Sequence, residues 1–381
     1  MARESKDLFL VCNTYETLGG VQTWVHYMAR LFTQRGHRVH LIGVRHPKLM
    51  HDHGDAFPYE TTVLHQRYPA GQWEPDGVLE RLSRRERRLR EERWKGVERL
   101  AAILEQGRPG GVVIVAEVWA MEWVRRALPA HLKVIGMVHE SYDACRLAGR
   151  YERVMHHFAD AHRFLALTRE DADAFARDGM GNADFVPNPL HVVPNRYAEL
   201  DEPVVVRLGR LDYDKGQDLL LDAWSKTRRG DWSLRVYGAD KSGGREARWL
   251  RKLTAELGLT DSVDWRDPTS DLESALCGGS IFALTSREEG FPMVILEAMA
   301  YGVPCVAFDV APGIRELITH DVDGLIVPHG DTVAFAEALG RLMGDAELRH
   351  KMGAAARESV QRFAPDLVAD RWEELFTLLD R

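Results

Sequence analysis

The sequence predicts an α/β protein made of two doubly wound, Rossmann-like parallel-sheet domains in tandem. Short β-branched runs alternate with amphipathic helical stretches, the pattern of parallel strands joined by helical crossovers. That alternation fails once, at a proline-punctuated stretch, and then restarts. A length of 381 residues fits two domains, since one domain usually holds roughly 100–200.

Asp7–Cys12 reads as the first strand, followed by a loop ending in Gly19-Gly20 and a helix that Gly36 closes. Further strands are expected at Arg38–Val44, Val112–Ala116, Lys133–Val138, Phe164–Leu167 and Asp184–Val186. Val186-Pro187-Asn188-Pro189, Pro194 and Pro203 then form a linker. Beyond it, strands are expected at Pro203–Leu208, Ser233–Tyr237, Ser262–Trp265, Ile281–Leu284, Val303–Phe308 and Gly324–Val327. Helices are expected at Gln217–Lys226, Glu246–Leu257, Leu272–Cys277, Met293–Tyr301 and Thr332–Met343. The expected domains are 1–190 and 198–364, with a C-terminal helix at 365–381 crossing back to the first.

Apolar residues make up 45% and charged residues 28%, which supplies two cores and excludes a disordered or fibrous chain. The net charge of −8 opposes the strong positive excess of dedicated nucleic-acid binders, so no nucleic-acid partner is expected. Cys12, Cys145, Cys277 and Cys305 contain no CxxC pair, and each lies in or beside an apolar run, as suits a reducing compartment. The N-terminal residues run straight into a strand with no signal-peptide core, and no apolar run reaches the ~18 residues of a membrane span. A soluble, cytoplasmic protein is expected.

Between Arg81 and Arg99 nine basic residues stand against four glutamates, while Leu82, Leu89, Val97, Leu100 and Leu104 recur at near-helical intervals. The favoured reading is a solvated helix with (i, i+4) pairs such as Glu91–Lys95. The other is a basic face for peripheral contact with anionic lipid at the inner membrane surface, or with an anionic acceptor.

Several chemistries are excluded by inspection. No GxGxxG follows the first strand, no GxxxxGK[ST] exists, and no GxSxG or HExxH is present. His156-His157 and His162 fall in an expected helical stretch and are not read as metal ligands. Three DxD tripeptides (Asp171–Asp173, Asp212–Asp214, Asp321–Asp323) could hold a metal-bound pyrophosphate, but the first reads as a helix start and the third as a loop.

Two segments carry the chemistry. In Arg207-Leu208-Gly209-Arg210-Leu211-Asp212-Tyr213-Asp214-Lys215-Gly216, a strand runs into a loop with Arg210 and Lys215 just before the next helix. Two cations at a strand's C-terminal end, beside a helix N-terminus, can neutralise a diphosphate without metal; ordinary surface cations would look the same. In Thr285-Ser286-Arg287-Glu288-Glu289-Gly290-Phe291-Pro292-Met293-Val294-Ile295-Leu296-Glu297, a strand ends, Glu289-Gly290 follow, and a helix opens near Met293. Its first N–H groups can bind phosphate oxygens, and Gly290 permits close approach. Glu297 sits within an apolar helix and needs a partner, a role that sugar hydroxyls can fill.

Glu289-x7-Glu297, in the context EGFPMVILEAMAYGVPCVAFD, resembles the signature of family 4 of the retaining, nucleotide-sugar-dependent glycosyltransferases. Gly19-Gly20, His139-Glu140 after Val134–Val138, the Val186-Pro187-Asn188 hinge and Gly209-Arg210…Lys215 fall in matching order. The resemblance implies a GT-B fold, two Rossmann-like domains facing across a cleft, the first for the acceptor and the second for the donor. It implies that Arg210 and Lys215 bind the donor diphosphate, Glu289 the transferred sugar and Glu297 the donor ribose. His139 would orient the sugar, Gly19 and Gly20 would let the first domain's loop approach the donor, and the amides around Gly290, Phe291, Met293 and Val294 would meet phosphate or sugar oxygens. It implies no metal and no cofactor. The implied activity is transfer of a hexosyl group from a nucleotide sugar to a hydroxyl of a glycan, glycolipid or small acceptor, as in polysaccharide biosynthesis.

The sequence departs from the family pattern at Gly238-Ala239-Asp240, where a Gly-x-Gly turn is common, and at Arg266-Asp267-Pro268, where a glycine is usual. Pro292 and the stretch Phe308-Asp309…Pro312-Gly313…Arg315-Glu316-Leu317-Ile318 resemble a branch rich in surface-polysaccharide transferases, which favours a UDP-sugar over a GDP-sugar. The alternatives are a GT-B phosphorylase, which would need inorganic phosphate, an epimerase, which would need no acceptor, and a non-catalytic nucleotide-sugar-binding subunit. The acceptor carries no transferable motif: His46, His51, His53, Tyr59, His65, Tyr68 and Trp73 read equally as the wall of a sugar site or as a polar excursion.

Overall fold

The computed structural model describes residues 5–17, 19–47, 57–66, 73, 84–227, 230–240 and 242–380. The chain divides into two units, Met1–Val186 with Val368–Arg381, and Pro187–Leu367.

The first unit holds strands β1 (Asp7–Cys12), β2 (Arg38–Arg45), β3 (Glu60–His65), β4 (Val112–Val115), β5 (Lys133–Met137), β6 (Arg163–Ala166) and β7 (Ala183–Phe185). They form one parallel sheet in the order β3-β2-β1-β4-β5-β6-β7, with Asp7 opposite Arg38 and Leu8 opposite Val112. β1 and β4 are buried along their whole length, as befits parallel strands covered by helices on both faces. The strand order reverses between β1 and β4. Crevices at such reversals, beyond the carboxyl ends of the strands, are where open α/β sheets bind ligands.

The second unit repeats the plan. Strands β8 (Val204–Leu208), β9 (Ser233–Tyr237), β10 (Val263–Arg266), β11 (Ile281–Leu284), β12 (Cys305–Asp309) and β13 (Gly324–Pro328) run in the order β10-β9-β8-β11-β12-β13. Here the reversal lies between β8 and β11, whose following loops carry Arg210, Lys215 and Glu289.

The C-terminal helix Pro365–Leu379 places Trp372 and Phe376 against Phe32 of the first unit, with ring centroids 5.7 and 5.8 Å away. Arg35 clamps its surface through Glu373 at 2.8 Å and through Asp370.

Two elements were not foreseen, and two expectations are corrected. The 46–77 stretch contains strand β3, an edge strand whose Glu-Thr-Thr start hides its period. A helix at Ala346–Ser359 escapes sequence reading because its face is thin in large apolar residues, with Met352 and Ala356 buried. His162 is not helical: it precedes β6, and its Nδ1 accepts from the Val134 amide. Lys95 pairs with Glu92 at 2.8 Å rather than with Glu91.

That last pair lies on the helix Arg84–Leu104, which buries Val97, Leu100 and Leu104 and leaves Arg84, Arg85, Arg87, Arg88 and Arg90 exposed; residues 81–83 lie outside the described residues. His51, His53 and Tyr68 also lie outside them. Tyr59 hydrogen-bonds His26 at 2.7 Å, His65 pairs with the Trp123 indole at 3.2 Å, and Trp73 lies under Arg126. No described helix is long and apolar enough to cross a membrane.

Candidate functional site

The loop after β8 is shaped by glycine. Gly216 holds φ +61° and opens the helix Gln217–Lys226; a Cβ there would come 2.0 Å from the Thr285 carbonyl oxygen, while the Thr285 hydroxyl donates to Gly216 O at 2.8 Å. Arg287 stitches the same two loops together. Its amide donates to Asp214 O, its guanidinium bonds the Tyr213 carbonyl and both Asp218 oxygens, and it lies 4.0 Å over the Tyr213 ring. The result brings Lys215 Nζ to 2.7 Å from Glu289 Oε1, with both side chains largely buried. Two of the residues singled out by sequence therefore meet as a charge-assisted pair.

Beneath them lies Arg207, which sequence reading passed over. It is 1% exposed near the carboxyl end of β8, donating to Leu208 O at 2.8 Å, Lys215 O at 3.1 Å and Ser286 Oγ at 3.3 Å. Burial pulls its pKa down to about 10, against the upward pull of the Glu289 carboxylate, so it stays charged at neutral pH. An arginine after Val204-Val205-Val206 looks like an outward strand residue; the one available signal was its position two residues before Gly209.

Arg210 stands apart from that pair. Its side chain is 44% exposed and reaches Asp212 at 3.4 Å, while Gln217 holds its carbonyl. Arg210 thus projects into solvent, where a ligand can recruit it.

Glu289 and Gly290 lead into the helix Met293–Ala300, with Pro292 as its cap residue. Phe291 anchors this turn against Phe363, centroids 5.3 Å apart, while Met293 and Val294 are half-buried at the helix start. The first turn of a helix leaves its N–H groups without intrahelical partners, a ready anion site. Gly290 is fixed from behind: a Cβ on Gly313 would come 1.9 Å from Gly290 O. Glu297 is 7% exposed, and the partner its burial calls for is present in the protein as His191 Nε2 at 2.9 Å. His191 comes from the proline-rich linker, where nothing in its surroundings marks it.

At the departures from the family pattern, Gly238 lets Gly209 approach, since a Cβ would meet Gly209 O at 2.2 Å. Asp240 accepts from the amides of Ala247 and Ser242, which holds its pKa down at about 2. Arg266 pairs with Asp264 at 2.7 Å.

The remaining sequence candidates lie in the first unit. Gly19 precedes the helix Gly20–Gln34, and a Cβ on Gly20 would meet nothing within 4 Å. His139 follows β5, with its ring 4.8 Å from Trp24 and its Nε2 sealed from solvent without a hydrogen-bond partner. Burial lowers its pKa to about 4, so the imidazole is neutral at pH 7. The Asp171 carboxylate accepts from Thr168 Oγ1 and the Tyr142 amide, a structural use of that DxD. Among the described residues no group of three or more His, Cys, Asp or Glu gathers as metal ligands.

Two parallel, doubly wound sheets of this order make the GT-B fold, and the family comparisons agree. The profile described as Glycosyltransferase Family 4 matches residues 18–195, and that described as Glycosyl transferases group 1 matches 194–359. The chain belongs to glycosyltransferase family 4. It is 39% identical over 225 residues to an exopolysaccharide phosphotransferase of Streptomyces coelicolor, covering 56% of this chain and 23% of that one. It is 30% identical over 266 residues to a GDP-mannose-dependent α-(1-6)-phosphatidylinositol monomannoside mannosyltransferase of Mycolicibacterium smegmatis, covering 66% of each. The chain spans 23%, 53% and 47% of the first three curated relatives it matches. The solved structure of Anabaena HepE with UDP and glucose superposes with a TM-score of 0.74 over 98% of this chain and 99% of that one. At 18% identity, that likeness speaks for the fold.

Proposed function

We propose that this protein is a retaining glycosyltransferase that moves a hexosyl group from a nucleotide-diphosphate sugar, a UDP-sugar in the favoured case, to a hydroxyl of a glycan, glycolipid or small acceptor. The observation that carries the reading is the Lys215–Glu289 pair at the β8/β11 reversal, beside the start of the helix Met293–Ala300. As the diphosphate leaves, charge builds on its oxygens and the sugar becomes oxocarbenium-like. Lys215, Arg210 and the helix N–H groups meet that charge, and fixed donors of this kind often supply the largest catalytic term. Lys215 then turns from Glu289 toward phosphate, which frees the Glu289 carboxylate for sugar hydroxyls. Glu297, oriented by His191, takes the ribose. Because two cations answer the leaving group, the reaction needs no metal.

HepE was solved with UDP, and the M. smegmatis relative is named for GDP-mannose, so family membership leaves the base open. Calorimetric titration with UDP, GDP and ADP in EDTA tests the reading. UDP binding that Arg210→Ala weakens supports it; a preference for GDP or ADP replaces the donor, and no binding by any of the three removes the donor site.

A further inference from the structure

A helical turn of three residues is too short to hold itself in place. The turn Tyr213–Lys215, which carries Lys215 at its end, closes through Lys215 N–H to Asp212 O at 3.0 Å and Gly216 N–H to Tyr213 O at 3.1 Å. Its position is set from outside. Each of its carbonyls accepts from one of two arginines: Tyr213 O from Arg287 Nη1 at 2.8 Å, Asp214 O from the Arg287 amide at 2.8 Å, and Lys215 O from Arg207 Nη2 at 3.1 Å.

Arg287 is itself clamped. Asp218, in the first turn of the helix Gln217–Lys226, accepts from Nη1 at 2.8 Å and Nη2 at 2.6 Å, and the two side chains are only 19% and 20% exposed. A planar fork can meet a carboxylate and a carbonyl at once in this way, whereas an ammonium is a point charge. The guanidinium also covers the Tyr213 ring at 4.0 Å.

The two loops that Arg287 joins are not equally secure. The β11 side is braced by Phe291 against Phe363 and by Gly313 behind the Gly290 carbonyl. The β8 side is open at Tyr213, which is 62% exposed, so the Tyr213–Lys215 turn is the part that shifts if Arg287 lets go. The 2.7 Å Lys215–Glu289 pair holds the two loops together only while it is closed. In the donor-bound state proposed above, Lys215 Nζ has turned to phosphate and that pair is open.

We propose that Arg287, held by Asp218, is the positioning residue for Lys215. It keeps the Tyr213–Lys215 turn against the β11 loop after the Lys215–Glu289 contact opens, so the ammonium meets the diphosphate from a fixed base. The proposal rests on the donor reading of this site. Arg287 acts in it through the backbone of Tyr213 and Asp214, with its guanidinium committed to Asp218, the Tyr213 carbonyl and the Tyr213 ring. A lysine head sits on a flexible four-carbon stem, so what it reaches depends on where its backbone is held.

The experiment is a double-mutant cycle on the full chain, read by calorimetry as the affinity for whichever of UDP, GDP and ADP binds best. Lys215→Ala should weaken that affinity about tenfold, the loss of one charged contact. Arg287→Met should weaken it roughly three- to tenfold. Asp218→Asn, which keeps the shape and removes the charge, should act in the same direction by a smaller factor. In the Lys215→Ala background, Arg287→Met should weaken it by less than about twofold more, because the residue it positions is gone. General loosening of the fold, or direct contact between Arg287 and phosphate, would instead give the full Arg287→Met loss in both backgrounds. That result, or Arg287→Met at wild-type affinity, overturns the proposal. If Arg287→Met does not fold, Asp218→Asn carries the same cycle with the same criteria. Wild-type affinity in Lys215→Ala would sink the donor reading itself. Affinity lost in Lys215→Ala but untouched in Arg287→Met would sink the positioning role alone.

Discussion

Lys215 Nζ lies 2.7 Å from Glu289 Oε1, bridging the loops that leave β8 and β11. In the proposed reading each has a role toward the donor, and the two neutralise one another until the donor separates them. Lys215→Ala should therefore act twice, losing the contact to the leaving phosphate and leaving a largely buried Glu289 uncompensated. Steady-state kinetics should show kcat down by about tenfold or more, equivalent to ~1.4 kcal/mol per decade. Unchanged turnover would remove Lys215 from the reaction.

Arg207, 1% exposed, holds the Lys215 carbonyl and the Ser286 hydroxyl from inside the unit. Arg207→Met should leave both groups unpaired at a cost of about 1–3 kcal/mol. Donor affinity should fall while the cooperative urea unfolding transition persists. Equal loss of both would mean general unfolding rather than local displacement.

Gly313→Ala places a Cβ 1.9 Å from Gly290 O, so the Glu289-Gly290 turn must shift. Overpacking of this kind costs about 1–3 kcal/mol. The readout is UDP affinity by calorimetry, expected to drop; full affinity would mean that the turn does not contact the donor.

His139 titrates near 4 in the folded chain, against an ordinary histidine value of 6.5. Its folded pKa is depressed, so the unfolded chain binds the extra proton. The contribution is complete above pH 6.5 and is lost as pH falls toward 4, at about 1.4 kcal/mol per pH unit. Urea unfolding across that window should show a shallower pH slope for His139→Leu than for the wild type. Parallel slopes would contradict the buried neutral imidazole.

EDTA should leave turnover intact if Lys215 and Arg210 answer the leaving group. An absolute requirement for a divalent cation would transfer that role to a metal.

Much of the fold was legible because parallel strands buried on both faces read as plain apolar runs, such as Val112–Val115 and Ile281–Leu284. β3 was not, being a polar edge strand, and neither was Ala346–Ser359, whose helical face is built from small residues. At the site, the loop residues Lys215 and Glu289 were visible because charge beside glycine at a strand end is a local pattern. Arg207 and His191 were not: each matters through a contact with a residue distant in sequence, and no local pattern encodes it.

The most direct measurement is a crystal structure of the protein with the nucleoside diphosphate that binds best. The account predicts the β-phosphate within hydrogen-bond distance of Lys215 Nζ and the amides at the start of the helix Met293–Ala300, with the 2.7 Å Lys215–Glu289 contact opened. A diphosphate seated elsewhere, with that ion pair intact, would contradict it.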